Sequence, residues 1–587
     1  MLPRVPDLLA ERAATVPAGV AMIGDAGPPL TFGAWHRRAE AFAGGLAGAG
    51  VGTGDRVALW FAGTHWTDYA VAYFGTLCAG AVAVPLSPRL TGAEAAAAMR
   101  AAGCAGLVRG GEVADTDSGT WRASCAELER GPRGAGPPYG EPELAEILHT
   151  SGTTGEPKLI AASHQNLLAG WTPGGSPAHD PTRFFVHAAP IATNSGQVSL
   201  LSPLREPYTC VVMARFDARR YCELLARHRA THTLLVPAMA RWLVDSRAYA
   251  GVDLSCVRTV VLTSAAASTD LLAGVSAVFP AATVSNIYTT TEAWPAMTAM
   301  DYHPGRPGSV GRPDPGQQVR VLTAAGSAGP GEVGEVALRA DGVAPRAYLG
   351  AEDETSTDGW VRTGDLGYLD GDGYLYLVGR RSEMINTGGF VVAPAEVEAA
   401  LEEHPAVTEA GVAGVAHPVL GEVVAAAVVA RTPVSTSDLS EWLRGRLAEH
   451  KRPARIVLVD RLPRNAMEKV ARPALRRLLA AGSGSGRAGE PRTPEERVLL
   501  DLWREVLGRA DIGVEDDFIA IGGHSLAAFE IAARAGAALG VDLPRELILA
   551  TPTVAGQAEA VGRLRRAGGE PAAGPIRPRR RGEGSVR

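Results

Sequence analysis

The chain has 587 residues, a formal net charge of −6 and 46% hydrophobic residues, enough to bury large cores in about three folded units. The acidic balance argues against a nucleic-acid partner. Six widely spaced cysteines (Cys78, Cys104, Cys125, Cys210, Cys222 and Cys256) offer neither a disulfide scaffold nor a pair at metal-ligand spacing, so a cytoplasmic location is expected. No charged-then-apolar leader opens the chain. The uncharged run Tyr69 to Leu86, broken by Gly75, Gly80 and Pro85, reads as a buried helix followed by a strand, not a membrane span.

Up to about Val378, helical patterns alternate with short β-branched runs such as Thr233 to Val236 and Val257 to Leu262, which predicts α/β layers with largely parallel strands. Pro/Gly-rich Gly131 to Pro142 reads as an internal loop. After Gly379 come strand-like Val407 to Val415 and Val423 to Val429, an amphipathic helix near Leu439 to Ala448 and strand-like Arg455 to Leu458, a small α+β lobe. The expected organisation is a large lobe over 1–379, a small lobe over 380–479, a Gly/Ser-rich linker over 480–492, a helical unit over 493–566 and a disordered basic tail over 567–587. Thr493 is the expected N-cap of the helical unit, with Pro494 and Glu496 in its first turn.

The stretch Thr150-Ser151-Gly152-Thr153-Thr154-Gly155-Glu156-Pro157-Lys158 places hydroxyls, two glycines and a cation in one loop after an apolar run, the chemistry of a polyphosphate grip. No Gly-Lys-Ser or Gly-Lys-Thr closes it, so it is not the common phosphate loop. It resembles the phosphate loop of the adenylate-forming superfamily, which includes acyl-CoA and aryl-CoA synthetases and the adenylation domains of nonribosomal peptide synthetases.

Further motifs follow in that superfamily's order. In Asn286-Ile287-Tyr288-Thr289-Thr290-Thr291-Glu292 the resemblance implies that Tyr288 stacks on adenine, Thr291 touches phosphate and Glu292 holds magnesium, a hard cation suited to a carboxylate. Thr289 stands where the family usually has Gly. Gly359 to Asp365 resembles the ribose motif, with Asp365 accepting from the diol. Gly379 to Ile385 resembles the lobe junction, with Arg380 near the nucleotide and Ser382 as pivot, and Gly388 and Gly389 would line the tunnel for a thiol-bearing arm. Leu462 to Lys469 resembles the last motif, whose lysine, here Lys469, bridges substrate carboxylate and phosphates; Glu468 replaces the usual Gly.

Gly522-Gly523-His524-Ser525-Leu526 resembles the attachment site of a peptidyl or acyl carrier protein, where Ser525 receives 4'-phosphopantetheine at a helix start. A hydrolase nucleophile elbow is excluded on size, since about seventy residues cannot build that sheet. The resemblance implies an α/β large lobe, a small α+β lobe and an all-α four-helix carrier. It implies an enzyme that uses ATP and Mg2+ to turn a carboxylic acid into an acyl-adenylate and then loads it as a thioester on its own carrier, a step of natural-product biosynthesis. The implied partners are a phosphopantetheinyl transferase and a downstream acyl-accepting or tailoring enzyme. A CoA ligase and a degenerate non-catalytic scaffold are the alternatives. Pro190 to Gly196 resembles a wall of the acid pocket, with Asn194 where amino-acid-activating relatives place Asp. Because a buried ammonium needs a carboxylate partner, Asn194 points to an acid without an α-ammonium, aromatic or hydroxy acids first; the other reading is that Asn194 only caps a loop. Leu262, Ser264, Ile287, Pro295 and Ala296 are further pocket candidates.

Overall fold

The computed structural model describes residues 2–25, 27–116, 119–131, 144–150, 158–265, 267–350, 356–417, 420–465, 469–481, 489–508, 512–516, 518, 525–541, 543–544, 547–548, 551 and 553–566. Its contacts divide the chain into two units, Met1–Ser382 with Arg464–Ala471, and Glu383–Pro463 with Arg472–Arg587.

Two sheets build the first unit. In one, Val82–Leu86, Arg56–Phe61, Cys104–Gly110 and Trp121–Ser124 run parallel, and Leu144–Thr150 joins them and pairs antiparallel with Lys158–Ser163. Parallel neighbours need crossovers, which Trp66–Cys78 and Gly92–Ala102 supply. The uncharged run is therefore a helix and then a strand, as expected. Trp66, Tyr69, Tyr73 and Phe74 of this helix are buried. A Cβ on Gly75 would collide with the Phe42 ring, so the small residue sets how closely Phe32–Gly48 packs.

In the second sheet Thr209–Val212, Phe184–His187, His232–Leu235, Thr259–Leu262 and Thr283–Tyr288 lie side by side in parallel. The direction reverses at Thr298–Asp301, and an antiparallel part includes Gly334–Ala340, Trp360–Leu369 and Leu375–Arg380. Register aligns Leu234 with His187, Leu235 with Leu262, and Leu262 with Asn286. Three candidate loops, those after His187, Leu262 and Tyr288, thus leave the carboxyl ends of the parallel strands on one edge, where open α/β sheets bind ligands.

In the second unit Val407–His417 pairs antiparallel with Gly421–Ala430, and Arg455–Leu458 adds a parallel strand. Val412, Val424 and Ala426 meet Val397 and Leu439 from helices Pro394–Glu402 and Thr436–Arg444 in a shared core. The second helix starts earlier than its hydrophobic pattern predicted, because Ser435 and Asp438 form a reciprocal capping box, and it ends at Arg444 before Gly445. Helix Arg472–Ala481 takes in the first two residues assigned to the linker.

Three described helices, Pro494–Leu507, Ser525–Leu539 and Val554–Arg566, form the carrier region. Leu499, Trp503, Phe518, Ile531 and Val561 fill its core. Trp503 donates to Gln557 Oε1 at 3.1 Å, which satisfies both buried polar groups. Thr493 caps the first helix as expected, its hydroxyl accepting from the Glu496 N–H at 3.1 Å.

Candidate active site

Asp365 and Arg380 are cross-strand neighbours in register, which brings guanidinium to carboxylate: Arg380 Nε donates to Asp365 Oδ1 at 3.1 Å. Tyr288, at the end of its own strand, donates its hydroxyl to Asp365 Oδ2 at 2.8 Å. Burial first, and then the Asp365 charge, hold the Tyr288 phenol well above its ordinary pKa, so it stays a donor. A carboxylate has about four acceptor positions; two are used here, which leaves acceptor capacity for a diol. Residues from three motifs that are distant in sequence therefore meet at one carboxylate.

A second cluster flanks the phosphate-loop segment. Lys158 Nζ lies 4.9 Å from the Tyr348 ring centroid, and the Tyr348 hydroxyl donates to Glu292 Oε1 at 2.6 Å. Strand pairing of Tyr348 with Ile160 makes this possible. Tyr348 was not among the sequence candidates, because no motif marks it and its partner Glu292 is 56 residues away. The loop core, Ser151 to Pro157, lies outside the described residues, as does Glu468; Thr150 ends the strand Leu144–Thr150. Thr291 and Glu292 are half-buried. Thr289 is not among the non-glycine residues of positive φ, so the replacement of Gly imposes no left-handed strain. Its hydroxyl instead ties the loop by donating to the Ala296 carbonyl at 2.7 Å.

At the acid wall, Thr193 and not Asn194 caps the helix Asn194–Arg205, accepting from the Gly196 N–H at 3.0 Å. Asn194 is the first helical residue, and its buried Oδ1 has no hydrogen-bond partner among the described residues. Ala192 and Ser264 adopt positive φ, 70° and 77°, a strain that clusters at functional loops. Ser264 is exposed, and Ile287 and Pro295 are half-buried. Leu262 and Ala296 are 0% and 1% exposed inside apolar cores. The twofold alternation of the strand turns Leu262 to the side of Val260, so it fills the core and does not face a wall.

Ser382 lies in the short turn Arg381–Glu383, at the division between the two units. Gly388 and Gly389 have φ of 56° and 89° in the turn between Ile385–Thr387 and Phe390–Val392, a conformation that side chains resist. Lys469 is exposed on a small hairpin closed by the Arg464 and Val470 bridge, its N–H donating to Asn465 Oδ1 at 3.0 Å. Ser525 is the first residue of its helix.

Residues 9–348 match the family model described as AMP-binding enzyme, 396–469 its C-terminal domain, and 497–561 a phosphopantetheine attachment site. The chain belongs to the AMP-binding enzyme family. It is 32% identical over 488 residues to the 2-succinylbenzoate–CoA ligase of Bacillus licheniformis, covering 80% of this chain and 99% of that one. It is 31% identical over 609 residues to a probable non-canonical nonribosomal peptide synthetase of Salinispora arenicola, covering 95% of this chain and 7% of that one. Among solved structures, O-succinylbenzoate coenzyme A synthetase from Bacillus subtilis in complex with AMP superposes with a TM-score of 0.71 at 27% identity, over 80% of this chain and 98% of that one.

This AMP-binding enzyme is an AMP-forming ligase that activates a carboxylate with ATP and carries an attachment domain for 4'-phosphopantetheine. Among the described residues no helix is long and apolar enough to cross a membrane, and none of the His, Cys, Asp and Glu side chains gather in threes to hold a metal ion. A lone Glu292 still suits magnesium, which keeps several waters and takes one or two carboxylates besides substrate phosphates.

Proposed function

We propose that the chain activates a carboxylic acid lacking an α-ammonium group and loads it on its own carrier domain. The observation that carries this reading is the presence, on one chain, of an AMP-binding enzyme match over 9–348 and a phosphopantetheine attachment match over 497–561. Asp365 would receive the ribose hydroxyls, Tyr288 the adenine, and Lys158, Thr291 and the phosphate loop the triphosphate. Glu292 would hold a magnesium ion, which would supply charge neutralisation there.

The acid's carboxylate oxygen attacks the α-phosphorus, the bond to the β-phosphate oxygen breaks, and pyrophosphate leaves. Lys469 offsets the charge that develops. The small lobe then turns about Ser382, and the Gly388 and Gly389 turn would line the path of the thiol-bearing arm. Ser525 would hold 4'-phosphopantetheine, attached by a phosphopantetheinyl transferase, whose thiol would supply the nucleophile for the acyl group; the bond from acyl carbon to bridging oxygen would break, with AMP keeping that oxygen. A downstream acyl-accepting enzyme completes the turnover. The location is the cytoplasm, a reading supported by six free cysteines.

The buried Asn194 Oδ1, without a hydrogen-bond partner among the described residues, supports the substrate class, since a neutral amide serves a hydroxyl or ring substituent and leaves an ammonium uncompensated. A panel of acids in ATP–pyrophosphate exchange tests it. Aryl or hydroxy acids should lead, and a proteinogenic L-α-amino acid clearly ahead of them overturns the substrate assignment. One observation favours a second reading, release of acyl-CoA: the 2-succinylbenzoate–CoA ligase match spans 99% of that relative. Turnover of free CoA by chain lacking pantetheine would favour it.

A further inference from the structure

A row of buried polar groups lies behind the candidate site and takes no part in the chemistry above. Glu146 and Arg346 have side-chain exposures of 0% and 1%, and Glu146 Oε1 stands 3.7 Å from an Arg346 terminal nitrogen. That is ion-pair range but beyond a hydrogen bond. Among the described residues Glu146 Oε1 and both terminal nitrogens of Arg346 have no hydrogen-bond partner. Burial pushes the Glu146 carboxyl up and the Arg346 guanidinium down, with their mutual attraction opposing both shifts. For stability alone, a well-packed apolar pair would serve as well or better.

Each member of the pair is tied to a different part of the site. Arg346 Nε donates to Asn166 Oδ1 at 2.9 Å, and Asn166 Nδ2 donates to the carbonyls of Trp294 and Ala344 at 2.8 and 3.2 Å. The Arg346 N–H donates to the Glu292 carbonyl at 3.3 Å, two residues before Tyr348, which holds the Glu292 carboxylate. Glu146 belongs to the strand Leu144–Thr150 that leads into the phosphate loop, and its Oε2 accepts from the Tyr73 hydroxyl at 2.9 Å. Tyr73 and Tyr69 rings lie 6.0 Å apart. The Tyr69 hydroxyl bonds to the Gln197 amide, 2.9 Å from Oε1 and 2.8 Å from Nε2. Gln197 N–H in turn donates to the carbonyl of Thr193 at 3.0 Å, the N-cap residue just before Asn194.

We propose that Glu146 and Arg346, with Tyr73, are positioning residues that couple the seat of the nucleotide phosphates to the acid wall, so that each ligand improves the binding of the other. The open gap between carboxylate and guanidinium supplies the differential contact that coupling requires. The contact is a charge-assisted hydrogen bond not made in this structure, and a small shift of either strand or loop would make it. This inference rests on the adenylation reading above.

The test uses the full chain. The dissociation constant of the best acid from the exchange panel is measured by calorimetry with and without α,β-methylene-ATP, and the ratio is the coupling factor. Wild type, Glu146→Gln and Tyr73→Phe are compared, with thermal midpoints recorded. The expected result is a wild-type factor above one that falls at least about threefold in both variants, while affinity for either ligand alone changes less. If wild type couples the ligands and both variants keep the wild-type factor, the assignment is overturned; it is equally overturned if wild type shows acid-dependent exchange but a factor of one. Absence of acid-dependent exchange in wild type overturns the adenylation reading itself. If Glu146→Gln does not fold, Tyr73→Phe, which loses a single hydroxyl, decides alone.

Discussion

Asp365 is where residues from distant motifs converge, and its charge carries the proposed ribose contact. Replacing Asp365 with Asn keeps the shape but removes the charge that Arg380 and Tyr288 now serve. Hydrogen bonds to charged groups contribute about 1.5–3 kcal/mol each, so Asp365→Asn should raise KM for ATP about tenfold or more in pyrophosphate exchange. A wild-type KM in a folded variant would remove Asp365 from the site. Lys469 is tested differently, since its proposed role is confined to the first half-reaction. Lys469→Ala should abolish pyrophosphate exchange yet still accept a supplied acyl-adenylate for thioester formation. Exchange near wild type would contradict that assignment.

At the scale of elements, capping chemistry decides boundaries that hydrophobic patterns leave loose. Thr493 was legible as a cap because a hydroxyl residue precedes Pro494 and Glu496, and the structure bears this out. Thr493→Ala should cost the carrier about 1 kcal/mol, lower its unfolding midpoint by calorimetry and leave pyrophosphate exchange unchanged. An equal loss of exchange activity would mean that the cap serves the adenylation site too. The helix Thr436–Arg444 starts three residues before its hydrophobic pattern predicts, because its start is set by the Ser435 box and not by its first apolar residue, Leu439. The motifs around Tyr288, Asp365 and Arg380 could be read because each is a local run. Their meeting point was implied only by resemblance. Tyr348, Arg346 and Glu146 carried no local signal: the Arg346 and Asn166 contact spans 180 residues, and a buried charge looks in sequence like any surface charge. The face that Leu262 takes carries little signal for a related reason, since strand alternation decides it and a four-residue strand gives little pattern to phase.

At the scale of the whole molecule, we propose that one chain performs two half-reactions with separate parts: activation in the large lobe and acyl capture on the carrier. Pro494–Leu507 and its partner helices have their own core, and the sequence before them is Gly/Ser-rich, as a tethered module needs. Separate parts imply separable losses, so Ser525→Ala should retain pyrophosphate exchange at wild-type rate. The most direct test is intact-mass spectrometry of pantetheinylated wild type and Ser525→Ala after incubation with ATP, Mg2+ and mixed candidate acids. The account predicts an ATP-dependent acyl mass increment on wild type and none on Ser525→Ala. An acyl increment on Ser525→Ala, or free acyl-CoA formed by apo-chain with no protein-bound acyl group on the pantetheinylated form, would contradict it.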